Sequence, residues 1–339
     1  MANERVLIVL WTTGRCNLDC RYCYASDSRN HFDMDFDTAV RALDHFSDRP
    51  MKIQFAGGEP LLNFDLIVKV CEYVKEKGYN ASFQMQTNGT LIDREKAKAI
   101  KEMGIAMGVS IDGPPEVNEW LRGSMKQAVN GIRTLGEEGI IVNVNSVVTD
   151  YNVERIHELA DFAFYLGNIA GIGLDLLREA GRAKEDGRKI EKPTGEQLKL
   201  ALNRLFERSE YLRKHSGRKI GVREVEEAKK RLTLKGCSMD YCYASCGRSY
   251  VILPTGDIYP CGSLIDRKEY YMGNINDGCV NSISVTGRNA GECKDCEYLS
   301  VCPGGCPSRM IVNEDESLES LDCILKKTAF DIAKKVCKR

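Results

Sequence analysis

The stretch TTGRCNLDCRYCYA, residues 12–25, sets Cys16, Cys20 and Cys23 four and three residues apart. That spacing would fit one face of a helix, but Gly14, Asn17 and Asp19 are poor helix-interior residues. The stretch also follows the apolar run 6–11, so it reads as the loop after a first strand. No histidine stands beside the thiols; His31 is the nearest. A closed structural zinc site takes four protein ligands. A cubane iron–sulfur cluster held by three thiolates leaves one iron open for a substrate or cofactor.

The chain has 339 residues, 43% of them hydrophobic, enough for a full core and more than one domain. Lys plus Arg number 48 and Asp plus Glu 49, with no basic block, so neither nucleic acid nor a membrane surface is an expected partner. The N-terminal apolar run is too short for a signal-peptide core or a membrane span. The expected location is therefore cytoplasmic. Fifteen cysteines, an odd number, in such a chain point to metal or redox chemistry rather than disulfides.

Strand patterns fall at 5–11, 51–56, 81–87, 105–111, 140–148 and 169–177, with helical patterns between them. In one, Ile67, Val70, Cys71 and Val74 share a face. In another, Ile156, Leu159, Ala160 and Ala163 do, with Gly167 placed to cap the end. Regular βα repetition implies an α/β fold with a parallel sheet. Six units are too few for a closed eight-stranded barrel, which leaves a partial (β/α)6 TIM-like barrel or an open sheet. Thr194 and Gln197 form a capping-box pair that starts a helix running to about 214. From Cys237 the composition changes: eleven of the fifteen cysteines lie in 237–337. The expected organisation is a barrel over 1–190, a helical bridge over 191–236 and a small cysteine-rich domain over 237–339.

The motif CxxxCxxC after a first strand, with Tyr22 before the third cysteine, resembles the signature of the radical S-adenosylmethionine (SAM) superfamily. The resemblance implies that Cys16, Cys20 and Cys23 hold a [4Fe–4S] cluster whose open iron binds SAM. One electron then cleaves SAM to methionine and a 5′-deoxyadenosyl radical, which abstracts hydrogen from an unactivated C–H bond. Gly57, Gly58 and Glu59, at the end of the second strand pattern, match the family's GGE-type motif, with Glu59 expected to pair with the SAM ammonium. Asn88 in QTNG, Ser110 and Asp112 in VSIDGP, and Asn145 complete the expected cofactor-binding set. All lie near C-terminal strand ends, where parallel βα folds place their sites.

The C-terminal cysteines resemble the SPASM domain, which carries two auxiliary [4Fe–4S] clusters. The resemblance implies three clusters in all. Cys242, Cys246, Cys261 and Cys306 are expected at the first auxiliary site, with Cys237 as the alternative to Cys242. Cys293, Cys296, Cys302 and Cys323 are expected at the second. Structural zinc at the CxxC pairs is the competing reading. Cys71 reads as core, and Cys237, Cys279 and Cys337 are left without a role, as are the four histidines.

The SPASM resemblance implies an enzyme that modifies a peptide or protein. A small molecule or cofactor precursor as substrate is the alternative, and a non-catalytic multi-cluster electron carrier a third reading. In the sulfatase-maturing members an Asp follows the last cysteine of the strand motif; here Gly262 stands there, and Asp266 is four residues further on. The chain starts at the first barrel strand, so a leader-binding extension is not expected; the substrate is then recognised by the barrel and SPASM surface alone, by a separate leader-binding protein, or is small. The reductant is expected to be of the ferredoxin or flavodoxin type. Tyr22, Asp175 and Arg178 are candidates to line the cavity or act in catalysis, the last from the family-like stretch LLREAGRA (176–183).

Overall fold

In the computed structural model, residues 4–26, 32–185, 190–234, 239–286, 293–314 and 320–337 are described. Cys237 and His31 lie outside them. The six expected strands form within two residues of their expected ends: β1 (Val6–Thr13), β2 (Met51–Gly57), β3 (Ala81–Thr87), β4 (Ala106–Ser110), β5 (Val142–Val148) and β6 (Ile169–Leu176). Between them run α1 (Phe36–His45), α2 (Phe64–Glu76), α3 (Arg94–Met103), α4 (Pro115–Leu121), α5 (Met125–Glu137) and α6 (Glu158–Leu166). β1 to β6 pair in sequential order and in parallel.

Period-two alternation gives the sheet two different faces. Ile8, Leu10, Ile53, Phe55, Met85, Val109 and Val144 point to one face and are fully or almost fully buried in the main core. Burying side chains of this size stabilises the fold by about 1.5–3 kcal/mol each relative to exposure. Ile67, Val70, Cys71 and Val74 of α2 meet this core as the pattern required. The other face is apolar on β1, through Val9 and Trp11. On β2 to β5 that same face carries Gln54, Gln84, Gln86, Ser110, Asn143 and Asn145, and on β6 it carries Gly171 and Gly173.

The helix at 195 begins as expected. Thr194 accepts from Gln197 N at 3.2 Å, Gln197 Oε1 accepts from Thr194 N at 2.9 Å, and α7 runs Gly195–Ser216. It is followed by β7 (Gly221–Val222) and α8 (Arg223–Thr233). The cysteine-rich region also joins the same sheet. β8 (Ser249–Ile252), between Cys246 and Cys261, pairs in parallel with β1, and β9 (Ile258–Tyr259) closes that edge antiparallel to β8. The nine strands run β7-β6-β5-β4-β3-β2-β1-β8-β9. Leu325, Ala329, Phe330, Ile332 and Ala333 of α10 (Leu321–Cys337) share the main core with the βα units. The cysteine-rich region therefore packs onto the βα layer through both a strand and a helix. α9 (Pro307–Asn313) starts directly after Cys306. Among the described residues, no helix is long and apolar enough to cross a membrane.

Candidate active site

The three-thiol loop leaves the C-terminal end of β1 and is fastened on four sides. Toward β2, Gly58 N donates to Thr13 O at 2.9 Å and Glu59 N to Arg15 O at 2.8 Å. A Cβ at Gly58 would collide with the backbone of Gly14 and Arg15, so only glycine permits this approach. Toward β3, Asn88 Nδ2 donates to Asn17 Oδ1 at 2.9 Å and Asn17 Nδ2 to Thr90 Oγ1 at 2.8 Å.

The third fastening is Tyr22, whose hydroxyl donates to Asp112 Oδ2 just beyond β4. Arg122, at the end of α4, donates to the same hydroxyl and lies 3.5 Å from Asp112 Oδ2. Asp112 Oδ1 accepts from Val147 N of β5 at 2.8 Å. The fourth comes from 181–182. Arg182 N donates to Cys23 O at 3.1 Å, Arg182 Nη1 donates to Cys20 O at 3.3 Å, and the guanidinium pairs with Asp19. Gly181, at φ +55°, passes so close to Cys23 and Tyr24 that a Cβ would strike their carbonyls.

Two of the expected cofactor-binding carboxylates, Glu59 and Asp112, are buried and fully engaged by the protein. Glu59 is 1% exposed, and its oxygens accept from Thr87 Oγ1 at 2.6 Å, Asn88 N at 2.8 Å and Leu61 N at 3.2 Å. Asp112 is 0% exposed. Burial pushes both carboxyls upward, against their hydrogen bonds and the Arg122 charge. Through these bonds both carboxylates tie neighbouring loops together. Asn88 is likewise buried and engaged with Asn17 and Thr90. Ser110 and Asn145 are half-buried on the polar face, linked through Gln86 at 2.8 and 2.7 Å.

Of the thiols in the loop, Cys20 is buried, which pushes it up to about 11 against the lowering effect of Arg122. Seven of the described C-terminal cysteines lie near one another in two groups. Ser308 Oγ lies 3.3 Å from Cys261 Sγ and 3.4 Å from Cys306 Sγ. Burial raises the Cys242 thiol, and Cys306 and Cys261 add to it. Burial likewise raises Cys323, with Cys302, Cys296 and Cys293 contributing. Cys246 instead accepts from Arg248 Nε at 3.0 Å. Among the described residues, no three His, Cys, Asp or Glu side chains converge tightly enough to hold a metal ion as they stand.

Asp175 and Arg178 sit between the loop and the first C-terminal group. Arg178 Nη1 donates to Asp175 Oδ2 at 2.7 Å, and Arg178 lies over the Tyr24 ring at 5.3 Å. Arg309 of α9, 4% exposed, pairs with Asp175 and donates to both oxygens of Asp322 at 2.8 and 2.6 Å. Asp322 Oδ1 also accepts from Cys306 N at 2.9 Å. Arg178 Nε is buried without a hydrogen-bond partner. A sulfide-bearing cluster beside Cys306 would satisfy such a donor, and an all-thiol donor set suits iron–sulfur chemistry. Arg122, Arg182 and Arg309 were not found by sequence reasoning. Arg182 lies in the LLREAGRA stretch already singled out; nothing local marked the other two.

The model of the radical SAM superfamily matches residues 12–163. An uncharacterized protein of Methanocaldococcus jannaschii is 34% identical over 302 residues, covering 86% of this chain and 96% of that one. The chain belongs to the radical SAM superfamily. As a radical SAM protein it is an enzyme, and SAM and a [4Fe–4S] cluster are its cofactors. The Fe-coproporphyrin III synthase of Methanosarcina barkeri is 36% identical over 195 residues, 52% of this chain and 48% of that one. A cysteine-type anaerobic sulfatase-maturating enzyme of Clostridium perfringens is 25% identical over 351 residues, 92% and 91% of the two chains. The structure of native anSMEcpe with bound AdoMet and the Kp18Cys peptide shares the fold of this radical SAM enzyme. Its TM-score is 0.82 at 22% identity, covering 98% of each chain.

Proposed function

We propose that this radical SAM enzyme reductively cleaves SAM and abstracts hydrogen from a peptide or protein substrate. The observation that carries the reading is the four-sided fastening of the Cys16–Cys20–Cys23 loop over C-terminal strand ends, beside Cys261 and Cys306. Those three thiols hold the cluster that supplies the electron for SAM cleavage when bound. The backbone of Gly57 and Gly58, the Ser110 hydroxyl and the Asn145 amide are the groups left to face SAM. Glu59, Asn88 and Asp112 position these groups from behind. Tyr22, Asp175 and Arg178 act as supports rather than as the catalytic acid or base.

Cys242, Cys246, Cys261 and Cys306 hold a first auxiliary [4Fe–4S] cluster, and Cys293, Cys296, Cys302 and Cys323 a second. The barrel covers 1–190, the helical bridge 191–236 and the SPASM domain 237–339. A ferredoxin or flavodoxin supplies the electron in the cytoplasm, and a separate leader-binding protein delivers the peptide. The full-length similarity to the sulfatase-maturating enzyme and the peptide named in the anSMEcpe structure support the peptide reading. The similarity to Fe-coproporphyrin III synthase, at higher identity over half the chain, supports a tetrapyrrole as the second reading.

The test is incubation of the anaerobically reconstituted, reduced enzyme and SAM with peptides encoded beside its gene, and separately with iron tetrapyrroles that include precursors of Fe-coproporphyrin III as well as Fe-coproporphyrin III itself. Mass change of a peptide supports the first reading. Decarboxylation or oxidation of the tetrapyrrole, with every peptide unchanged, replaces it with the second.

A further inference from the structure

A cavity of about 600 Å³ lies between the three-thiol loop and the end of α4. Leu18, Asp19 and Arg21 line it from the loop, and Glu119, Arg122 and Ser124 from the other side. None of the three cysteines lines it, so a group held there sits against the loop and outside the cluster site. Asp19 and Glu119 are exposed, so the cavity opens to solvent. Arg21 stands directly after Cys20 and two residues before Cys23. A molecule bound at Arg21 is therefore next to two of the loop's thiols. Electron transfer falls steeply with distance, which makes this a favourable point of entry.

The charges around the cavity are balanced, with one exception. Arg122 turns inward to Tyr22 and Asp112. Asp19 pairs with Arg182. Glu119 Oε2 accepts from Met125 N at 2.8 Å, which sets its charge at the N-terminus of α5, where the helix dipole favours an anion. Arg21 has no ion-pair partner among the described residues, and only its Nε is engaged, donating to Trp120 O at 2.9 Å. The guanidinium is nonetheless held still. It lies over the Trp120 ring at 4.3 Å, and Trp120 stacks on Tyr151 at 3.8 Å. Arg21 N also donates to Leu121 O at 2.9 Å. A fixed guanidinium with both Nη groups free and its charge unpaired is preorganised for a carboxylate. Arg223, at the start of α8, shows the contrast. Glu224, Leu174 O and Asn145 Oδ1 take its donors, and buried Glu224 pairs its charge.

We propose that Arg21 and this cavity dock the electron donor, an acidic protein of the ferredoxin or flavodoxin type that sets a surface carboxylate on the Arg21 Nη groups. The proposal rests on the function read above, which needs an electron at the Cys16–Cys20–Cys23 site, and it names the surface where that electron enters. The donor is oxidised by one electron and the cluster reduced by one; no bond forms or breaks.

The experiment compares three reductants of the reconstituted holoenzyme: a reduced ferredoxin, a reduced flavodoxin and dithionite, a small molecule that needs no docking surface. Stopped-flow bleaching of the cluster absorbance gives the reduction rate, and calorimetry with the oxidised donor protein gives its Kd. With a donor protein at low salt, Arg21→Gln lowers both rate and affinity about tenfold, the scale of one charged hydrogen-bonded pair. Dithionite reduces wild type and variant alike. Arg21→Lys, which keeps the charge, loses less. Glu119→Gln lies outside the thiol loop, keeps an acceptor for Met125 N and removes a negative charge from the cavity, so it raises the affinity. High salt shrinks all of these differences, because exposed charges are screened. Iron content reports whether Arg21→Gln still holds its cluster; if it does not, Glu119→Gln and the salt dependence of wild type decide. An intact Arg21→Gln reduced by the donor protein at the wild-type rate, or Glu119→Gln with unchanged or weaker binding, would overturn the proposal. So would a wild type that dithionite reduces and neither donor protein does. A wild type that forms no 5′-deoxyadenosine even with dithionite would instead count against the function itself.

Discussion

Tyr22 donates its hydroxyl hydrogen to the buried carboxylate of Asp112, ninety residues away along the chain. This bond ties the three-thiol loop to the end of β4, and Arg122 adds a buried cation to the same point. The residue just before the third cysteine is thus an anchor for the loop that carries all three. Removing Asp112 while leaving Arg122 buried breaks an ion pair from one side, which costs about 3–5 kcal/mol. Tyr22→Phe removes one hydrogen bond and costs about 1–3 kcal/mol, because the carboxylate loses a buried partner. Urea unfolding of the two variants before reconstitution should rank them in that order. Equal, near-zero losses would contradict the anchor.

Gly58→Ala should fail to hold iron in the loop while leaving the C-terminal cysteines able to load. The added methyl collides with the Gly14 and Arg15 backbone, so the loop must shift as a whole. Iron per chain should fall by about four, the content of one cubane. Full iron loading would show that the close approach is dispensable.

Glu59→Ala leaves the Thr87 hydroxyl and the Asn88 amide buried without their acceptor. Unpaired buried donors cost about 1–3 kcal/mol each. Glu59→Gln keeps one carbonyl acceptor and should recover part of that loss. SAM affinity, measured by dialysis, should fall with stability in the alanine variant and less in the glutamine variant. A glutamine variant that is fully stable yet unable to bind SAM would restore a direct ammonium contact.

Arg309 joins Asp175 at the end of β6 to Asp322 beside Cys323, so it links the βα layer to the C-terminal cysteine groups. Burial pushes the Asp175 carboxyl upward, but Arg178, Arg309 and Arg223 overcome this and hold it well below the usual range. A carboxyl with a depressed folded pKa contributes stability above its unfolded pKa and loses it as the pH falls. The stability gap between wild type and Asp175→Asn should therefore be full above about pH 5 and narrow below about pH 4, where unfolded aspartate titrates. Urea midpoints across that range check the sign. A gap that widens in acid would contradict it.

The sequence made the six strands, the α2 core face and the Thr194–Gln197 capping box legible because each is set by local periodicity or by residues three apart. The three-thiol loop was legible for the same reason. What it concealed are pairings between distant segments: Tyr22 with Asp112, Arg309 with Asp175, Arg223 with Asn145. No local pattern distinguishes a surface arginine from one that a fold will bury. A motif also leaves open which donors its carboxylate meets: Glu59 accepts from Thr87 and Asn88, and Asp112 from Tyr22 and Val147, none of them marked locally. One signal was available. Gly171 and Gly173 interrupt a strand pattern, and isolated strand glycines mark close approach by another group; at Gly173 that group is Arg223 and at Gly171 it is the Asn143 side chain.

The central claim is that Cys16, Cys20 and Cys23 form the SAM-cleaving centre and that the C-terminal cysteines hold separate clusters. The most direct measurement is 5′-deoxyadenosine formation by reduced, reconstituted enzyme, alongside iron content, in wild type and in the Cys16→Ala, Cys20→Ala and Cys23→Ala variants. The account predicts about twelve irons and product in wild type, and about eight irons and no product in each variant, since each cubane holds about four. Product formed by all three variants, or none formed by wild type under any reductant, would contradict it.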